Sequence, residues 1–214
     1  MPDKLSIYNG ALSIIGERKL ASLTENREPR LKLDDIWDND MIDRCLQMGQ
    51  WKFAKRTVEL TASPSVTPSF GFQYAFEQPA DFQRTIAMCY DEYFNVPITR
   101  YSPEGSFWFA DVEVIYLAYV SNDAQFGGDF SLWPPNFTEM VEHYMAWKVA
   151  PRIAGIDIGD KRLGRQWKSW LAEAKSTDAM ESPAKFAPSG TWANSRHSRR
   201  GGRSDRGNRG QLIG

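Results

Sequence analysis

The densest group of potential ligands is "LDDIWDNDMID", which places Asp34, Asp35, Asp38, Asp40 and Asp43 within eleven residues. A calcium loop would need oxygens at alternate positions and a glycine at its sharp turn. Here the acids fall on a stretch with helical spacing and no glycine. Asp34 and Asp38 would share a face while Asp40 and Asp43 point elsewhere. A solvated acidic helix is the simpler reading, and no metal is expected. Glu139 and Glu142 make a second acidic pair on another helical stretch. Nothing in the surrounding sequence suggests a raised pKa, so an acid–base couple is not expected there. The two histidines, His143 and His197, are not at metal-ligand spacing.

Other catalytic signatures are missing from the sequence. It contains no Walker loop, dinucleotide fingerprint or nucleophile elbow. "GGDF", residues 127–130, opens like a cyclase signature, but its continuation "SLWPP" does not fit, and a plain turn is expected. The reading is therefore of a non-enzyme without cofactors. Cys45 and Cys89 sit among apolar neighbours and read as reduced core residues, not as a disulfide. No apolar run approaches the ~20 residues of a membrane span, and "MPDKLSIYNG" lacks the plan of a signal peptide.

Charge is distributed unevenly. The chain of 214 residues has a formal net charge of −1. Residues 181–214 hold seven basic side chains against two acids, which leaves +5 there and −6 on the preceding body. The last twenty residues, "SRHSRRGGRSDRGNRGQLIG", have Leu212 and Ile213 as their only large apolar side chains. Ordering each residue costs roughly 1–2 kcal/mol, so this segment cannot build a core and is expected to order only against other chains. Just upstream, Phe186 and Trp192 are the aromatic anchors of residues 181–214, and Arg196, Arg199, Arg200, Arg203, Arg206 and Arg209 are candidates for pairing with acidic grooves, together with Leu212 and Ile213.

Apolar spacing then supplies the elements. Leu5, Tyr8, Leu12 and Ile15 predict a short helix closed by Gly16. A second helix is expected from about Pro29 to Met48, with Leu33, Trp37, Met41 and Met48 as its seam. From Trp51 the period becomes two: "KRTVEL", "FQYAFE" and "RTIAMCY" predict strands, "YFNVPITRY" and "SFWFA" weaker ones, and "VEVIYLAYV" a central strand covered on both faces. A third helix carries Phe137, Met140, Val141, Tyr144 and Met145, with Pro151 expected to kink or divide it. A fourth carries Leu163, Trp167, Trp170, Leu171 and Ala174. Trp37, Trp147, Trp167 and Trp170 are expected in the core, whereas Trp51, Trp108 and Trp133 suit a core or an interface equally. The expected fold is α+β: N- and C-terminal helices (1–50 and 134–180) packed as a helical bundle, a central antiparallel β insertion (51–133), and an extended basic C-terminal arm (181–214).

Several pieces, in order, resemble one known family. "IYNGALSIIGERKLASLTENREPRLKLDDIWDNDMIDRCLQMGQWKFAKRTVEL" is similar to the start of the head-to-tail adaptors of short-tailed phages, often called tail tubular protein A. "YAFEQPADFQR" looks like their tyrosine–proline–aspartate–arginine strand and turn, and "AYVSNDAQFGGDFSLWPPNFTEMVEHYMAWKVA" like their strand, loop and closing helix. The resemblance spans about residues 5–175; its order and spacing carry it, since no single piece is diagnostic. It implies a virion structural protein made in the host cytoplasm, forming a ring, typically of twelve copies, beneath the portal. The portal protein and the tail nozzle protein would be its partners, with room for tail-fibre contact. DNA would pass through the lumen without sequence-specific binding, and no membrane would be involved.

An acidic body suits such a channel, because it repels phosphate and lets the duplex slide. Asp34, Asp35 and Asp38 are the candidate lining. The arm is not part of the family pattern; at 34 residues it would reach roughly 110 Å if extended, enough to cross between rings. A different class of reading, a nucleic-acid-binding protein with an RGG-like arm, competes with it. The acidic body, and the lack of Tyr or Phe among the arginines, lean against that alternative.

Overall fold

The computed structural model describes residues 2–155 and 161–181. The residues up to Ala179 form one compact unit; a second begins at Met180, of which Met180 and Glu181 are described. The arm residues named above, from Phe186 to Ile213, lie outside the described residues, as does His197.

Helix α1 (Lys4–Ile15) starts at a reciprocal cap: the Ser6 amide donates to Asp3 Oδ1 at 2.7 Å, and the Asp3 amide donates to Ser6 Oγ at 2.8 Å. It ends where expected, at Gly16, whose φ of 82° is the left-handed conformation glycine adopts without strain.

The expected second helix is two helices. Helix α2 (Glu28–Trp37) stops at Asp38, and α3 (Met41–Gln47) begins after Asp40, which has a φ of 54°. The intervening "DND" explains the break. Asn39 Nδ2 donates to the Asp35 carbonyl at 2.5 Å, and Asp is among the few L-residues that tolerate the left-handed region.

The six strands form two three-stranded antiparallel sheets. In the first, β6 (Val114–Ser121) lies between β1 (Lys55–Thr61) and β3 (Phe82–Cys89). In the second, β5 (Phe107–Ala110) lies between β2 (Tyr74–Glu77) and β4 (Tyr101–Glu104). Pro103 is accommodated because β4 is an edge strand. Strand β6 is central, as its sequence predicts. Its Ile115, Leu117 and Tyr119 join Phe76, Met88 and Trp108 in one cluster, whereas Val120 packs with the helices.

That division of β6 corrects the expected architecture. The helices do not form a terminal bundle around a β insertion. The larger core mixes helical residues with Val120 of β6 and Ala54 just before β1, and Ile86 of β3 packs against it. An amphipathic helix needs only an apolar partner, and here a sheet face supplies part of it. The β region itself consists of two small three-stranded sheets. Helix α4 (Pro135–Ile153) runs through Pro151 undivided, because the proline falls in its last turn, and α5 (Lys161–Met180) follows.

The tryptophans expected on helix seams do pack against the core, and the three left open between core and interface belong to the core. Trp51, Trp108 and Trp133 are buried, whereas Trp37, Trp147, Trp167 and Trp170 are half-buried along helix seams. Trp51 and Trp133 also find acceptors, the carbonyls of Cys45 (3.1 Å) and Gly127 (2.9 Å). Edge-to-face contacts link Trp37, Phe130, Trp133, Phe137 and Trp51 into one aromatic chain through the larger core.

Candidate functional site

The three acids expected to line a channel meet different fates. Asp34 is turned towards α1. It accepts from the Tyr8 hydroxyl at 2.7 Å and from Arg30 at 2.6 Å, and Lys4 Nζ lies 3.3 Å away. Burial would raise its pKa, but these donors outweigh burial and hold it below the ordinary carboxylate value. The Tyr8 phenol is pushed up by burial and by the same carboxylate. Lys4 also stands 5.4 Å from the Tyr8 ring and 5.2 Å from the Trp37 ring. Asp34 is thus an internal tie between α1 and α2.

Asp35 is exposed and pairs with Arg152 of α4. Asp38 is exposed and forms no salt bridge among the described residues. Asp43 accepts from Asn122 at 3.0 Å, tying α3 to the loop after β6. The acids therefore point in several directions, and among the described residues no group of three or more His, Cys, Asp or Glu could hold a metal ion. Residues 127 and 128 lie in a turn, as expected of "GGDF". Cys45 and Cys89 are buried and are not joined by a disulfide, and burial pushes the Cys45 thiol up to about 12.

Two carboxylates carry chemistry that the sequence reading missed. Asp81, just before β3, gathers Arg56 of β1 (2.8 Å) and Tyr119 of β6 (3.0 and 3.1 Å), with Ser121 of β6 as a further close donor. Burial opposes its ionisation, yet the three donors keep its pKa below the usual range. Glu142 is the opposite case. Burial against α1, helped by Glu139 one turn away, raises its pKa to about 7. The neighbour on α1 is Gly10: a Cβ there would stand 2.1 Å from Glu142 Cδ. The expectation of an unperturbed pair thus fails at Glu142. The signal was a glycine within an otherwise good helix, where a close approach is one explanation. His143 lies beside it in sequence but stacks on Trp170, with ring centroids 5.6 Å apart, and burial lowers its pKa.

The loops around the second sheet expose several large side chains. Phe70 is 89% exposed and Tyr93 75%, and Tyr90 and Val96 are exposed as well. Asp91 shapes one loop by accepting from the Asn95 and Val96 amides at 2.8–3.1 Å. In the other, Arg100 donates to the Gly71 carbonyl at 3.1 Å, lies 5.4 Å from the Phe72 ring and pairs with Asp111 at 3.1 Å. These side chains are held on braced loops without being covered. Among the described residues, no helix is long and apolar enough to cross a membrane.

No protein-family model matches the chain, and no curated protein matches it either.

Proposed function

We propose that the protein is a structural head-to-tail adaptor of a short-tailed phage. Copies of it close into a ring, twelve in the family it resembles, between the portal and the tail nozzle. The exposed aromatics on the braced loops of the second sheet carry this reading. Large apolar side chains fixed in water are characteristic of protein–protein contact surfaces, where aromatics supply most of the binding energy. We assign them to contact with the next component of the tail. The charge division supports the same reading: a body of net −6 lets DNA pass, and the basic arm, residues 181–214, docks on the portal or on a neighbouring subunit. Of the three acids considered for the lumen, Asp38 is the one left exposed without a salt bridge among the described residues, and it becomes the leading candidate.

The test combines the full chain, and a chain ending before Ser182, with the cognate portal protein, and images the products by electron microscopy. The adaptor reading requires closed rings on the portal that are lost or weakened on truncation. Steeply salt-dependent DNA binding that disappears on truncation, without any ring, would replace it with the nucleic-acid reading.

A further inference from the structure

On the side of the molecule where α4 faces the α2–α3 connection lies a cleft of about 230 Å³. Tyr144, Lys148 and Arg152 follow one another at four-residue intervals along α4 and so share its cleft face. Arg44 reaches in from α3, and Ile36 and Met41 supply apolar wall. Three cations therefore converge on a small space within a body whose net charge is −6.

One of the three is already engaged. Arg152 holds the Asp35 carboxylate, and Asn39 braces that aspartate through its carbonyl. Arg44 and Lys148 form no salt bridge among the described residues. Arg44 lines the cleft together with Tyr144, and Lys148 Nζ rests 4.8 Å from the Trp147 ring centroid and 5.6 Å from that of Tyr144. Both thus have aromatic neighbours, with their charge unmatched.

We propose that this cleft is a receptor for an acidic peptide, binding one carboxylate side chain of a partner chain between Arg44 and Lys148. The Arg152–Asp35 pair shows that a carboxylate fits the geometry of this wall. Ile36 and Met41 accept the methylene stem and an adjoining apolar residue, which favours glutamate beside leucine over a bare anion. The volume admits a side chain, not the broad surface of a duplex whose phosphates lie along a rod. The site is independent of the arm and of the ring.

The probe is the peptide Ac-Leu-Glu-Leu-NH2, titrated into the full-length protein with methyl groups labelled for NMR. Saturable shifts at Ile36 and Met41 are expected, and Ac-Leu-Gln-Leu-NH2 should bind at least about tenfold more weakly. The double variant Arg44→Gln, Lys148→Gln should lose about tenfold in affinity at an unchanged melting temperature, since both side chains are exposed. Equal shifts from the two peptides, or undiminished binding by the double variant, would overturn the proposal. So would inorganic phosphate or a short DNA duplex saturating the same methyls more tightly than the peptide, which would make the cleft a phosphate site.

Discussion

Asp81 and Glu142 are both half-buried carboxylates, yet their surroundings drive them in opposite directions. Asp81 sits where two strands and a loop meet, and three side chains donate to it. Glu142 sits on a helix face against a glycine, with another glutamate nearby. The number of donors decides the outcome, since burial is unfavourable for either charge. The β side of the molecule fixes an anion as part of its frame; the α1–α4 seam tolerates one that would be neutral if it could.

Removing the Asp81 carboxylate should break this contrast most severely. Asp81→Ala leaves the Tyr119 and Ser121 hydroxyls without their acceptor at the junction of β1, β6 and the following loop. A loss of about 2–3 kcal/mol is expected by urea denaturation. A loss below about 0.5 kcal/mol would mean that water replaces the carboxylate and that the network is not structural.

The pH dependence of stability should carry both signs. A depressed pKa such as that of Asp81 contributes stability present above its unfolded value of 3.8 and lost as pH falls through the folded one. A raised pKa works the other way. Glu142 favours the fold fully below its unfolded value of 4.5, and this contribution disappears as pH climbs through about 7. Glu142→Gln should therefore stabilise the protein at pH 8 by about 1 kcal/mol, a figure reduced from the full linkage value because the group is half in water. Melting curves of both proteins from pH 4 to 8 check it: the variant should lose the decline that the parent shows between about pH 5 and 7.

Smaller changes sharpen the same contrast. Tyr8→Phe deletes one of the Asp34 donors while Lys4 and Arg30 remain, so a cost of about 1 kcal/mol is expected in chemical denaturation. Gly10→Ala should have the least effect on stability, within about 1 kcal/mol, because better helix propensity offsets the displacement of a flexible side-chain end. Its diagnostic effect is on titration. With the Glu142 carboxyl pushed into water, its pKa, followed by NMR, should return towards the ordinary glutamate range. A value still near 7 would place the cause of the shift elsewhere on α4.

Much of the element order was legible because local periodicity survives in it. The α1 stripe ending at Gly16, the alternation of β1, β2 and β3, and the doubly apolar β6 all follow from side-chain spacing. The break between α2 and α3 was legible in principle: "DND" offers side-chain acceptors and donors that compete with the helix, but the continuing apolar seam masked it. The depth of the tryptophans was less legible, because burial depends on what lies opposite: Trp147 and Trp167 meet between α4 and α5 and stay half-buried, while Trp51 and Trp133 contact Phe137 edge-to-face inside.

The candidate site divided similarly. The acids of α2 were found by type, but their roles were not. Asp34 meets Tyr8, twenty-six residues earlier, and Asp35 meets Arg152, 117 residues later, and no spacing rule links such positions. The cleft of Arg44, Lys148 and Arg152 went unseen for the same reason: two turns of α4 and one of α3 carry ordinary surface cations until the fold brings them together.

By itself the sequence determined most of the helical and extended segments, where charge accumulates, and that the last twenty residues offer almost nothing to bury. These are consequences of side-chain type and short-range period, which act over a few residues. Only the tertiary structure decided that the first sheet and the helices share one core, that Asp81 is supplied with donors while Glu142 is not, and which cations face a common cleft. Those outcomes depend on contacts between distant parts of the chain, where burial and the supply of partners, not composition, set the energy.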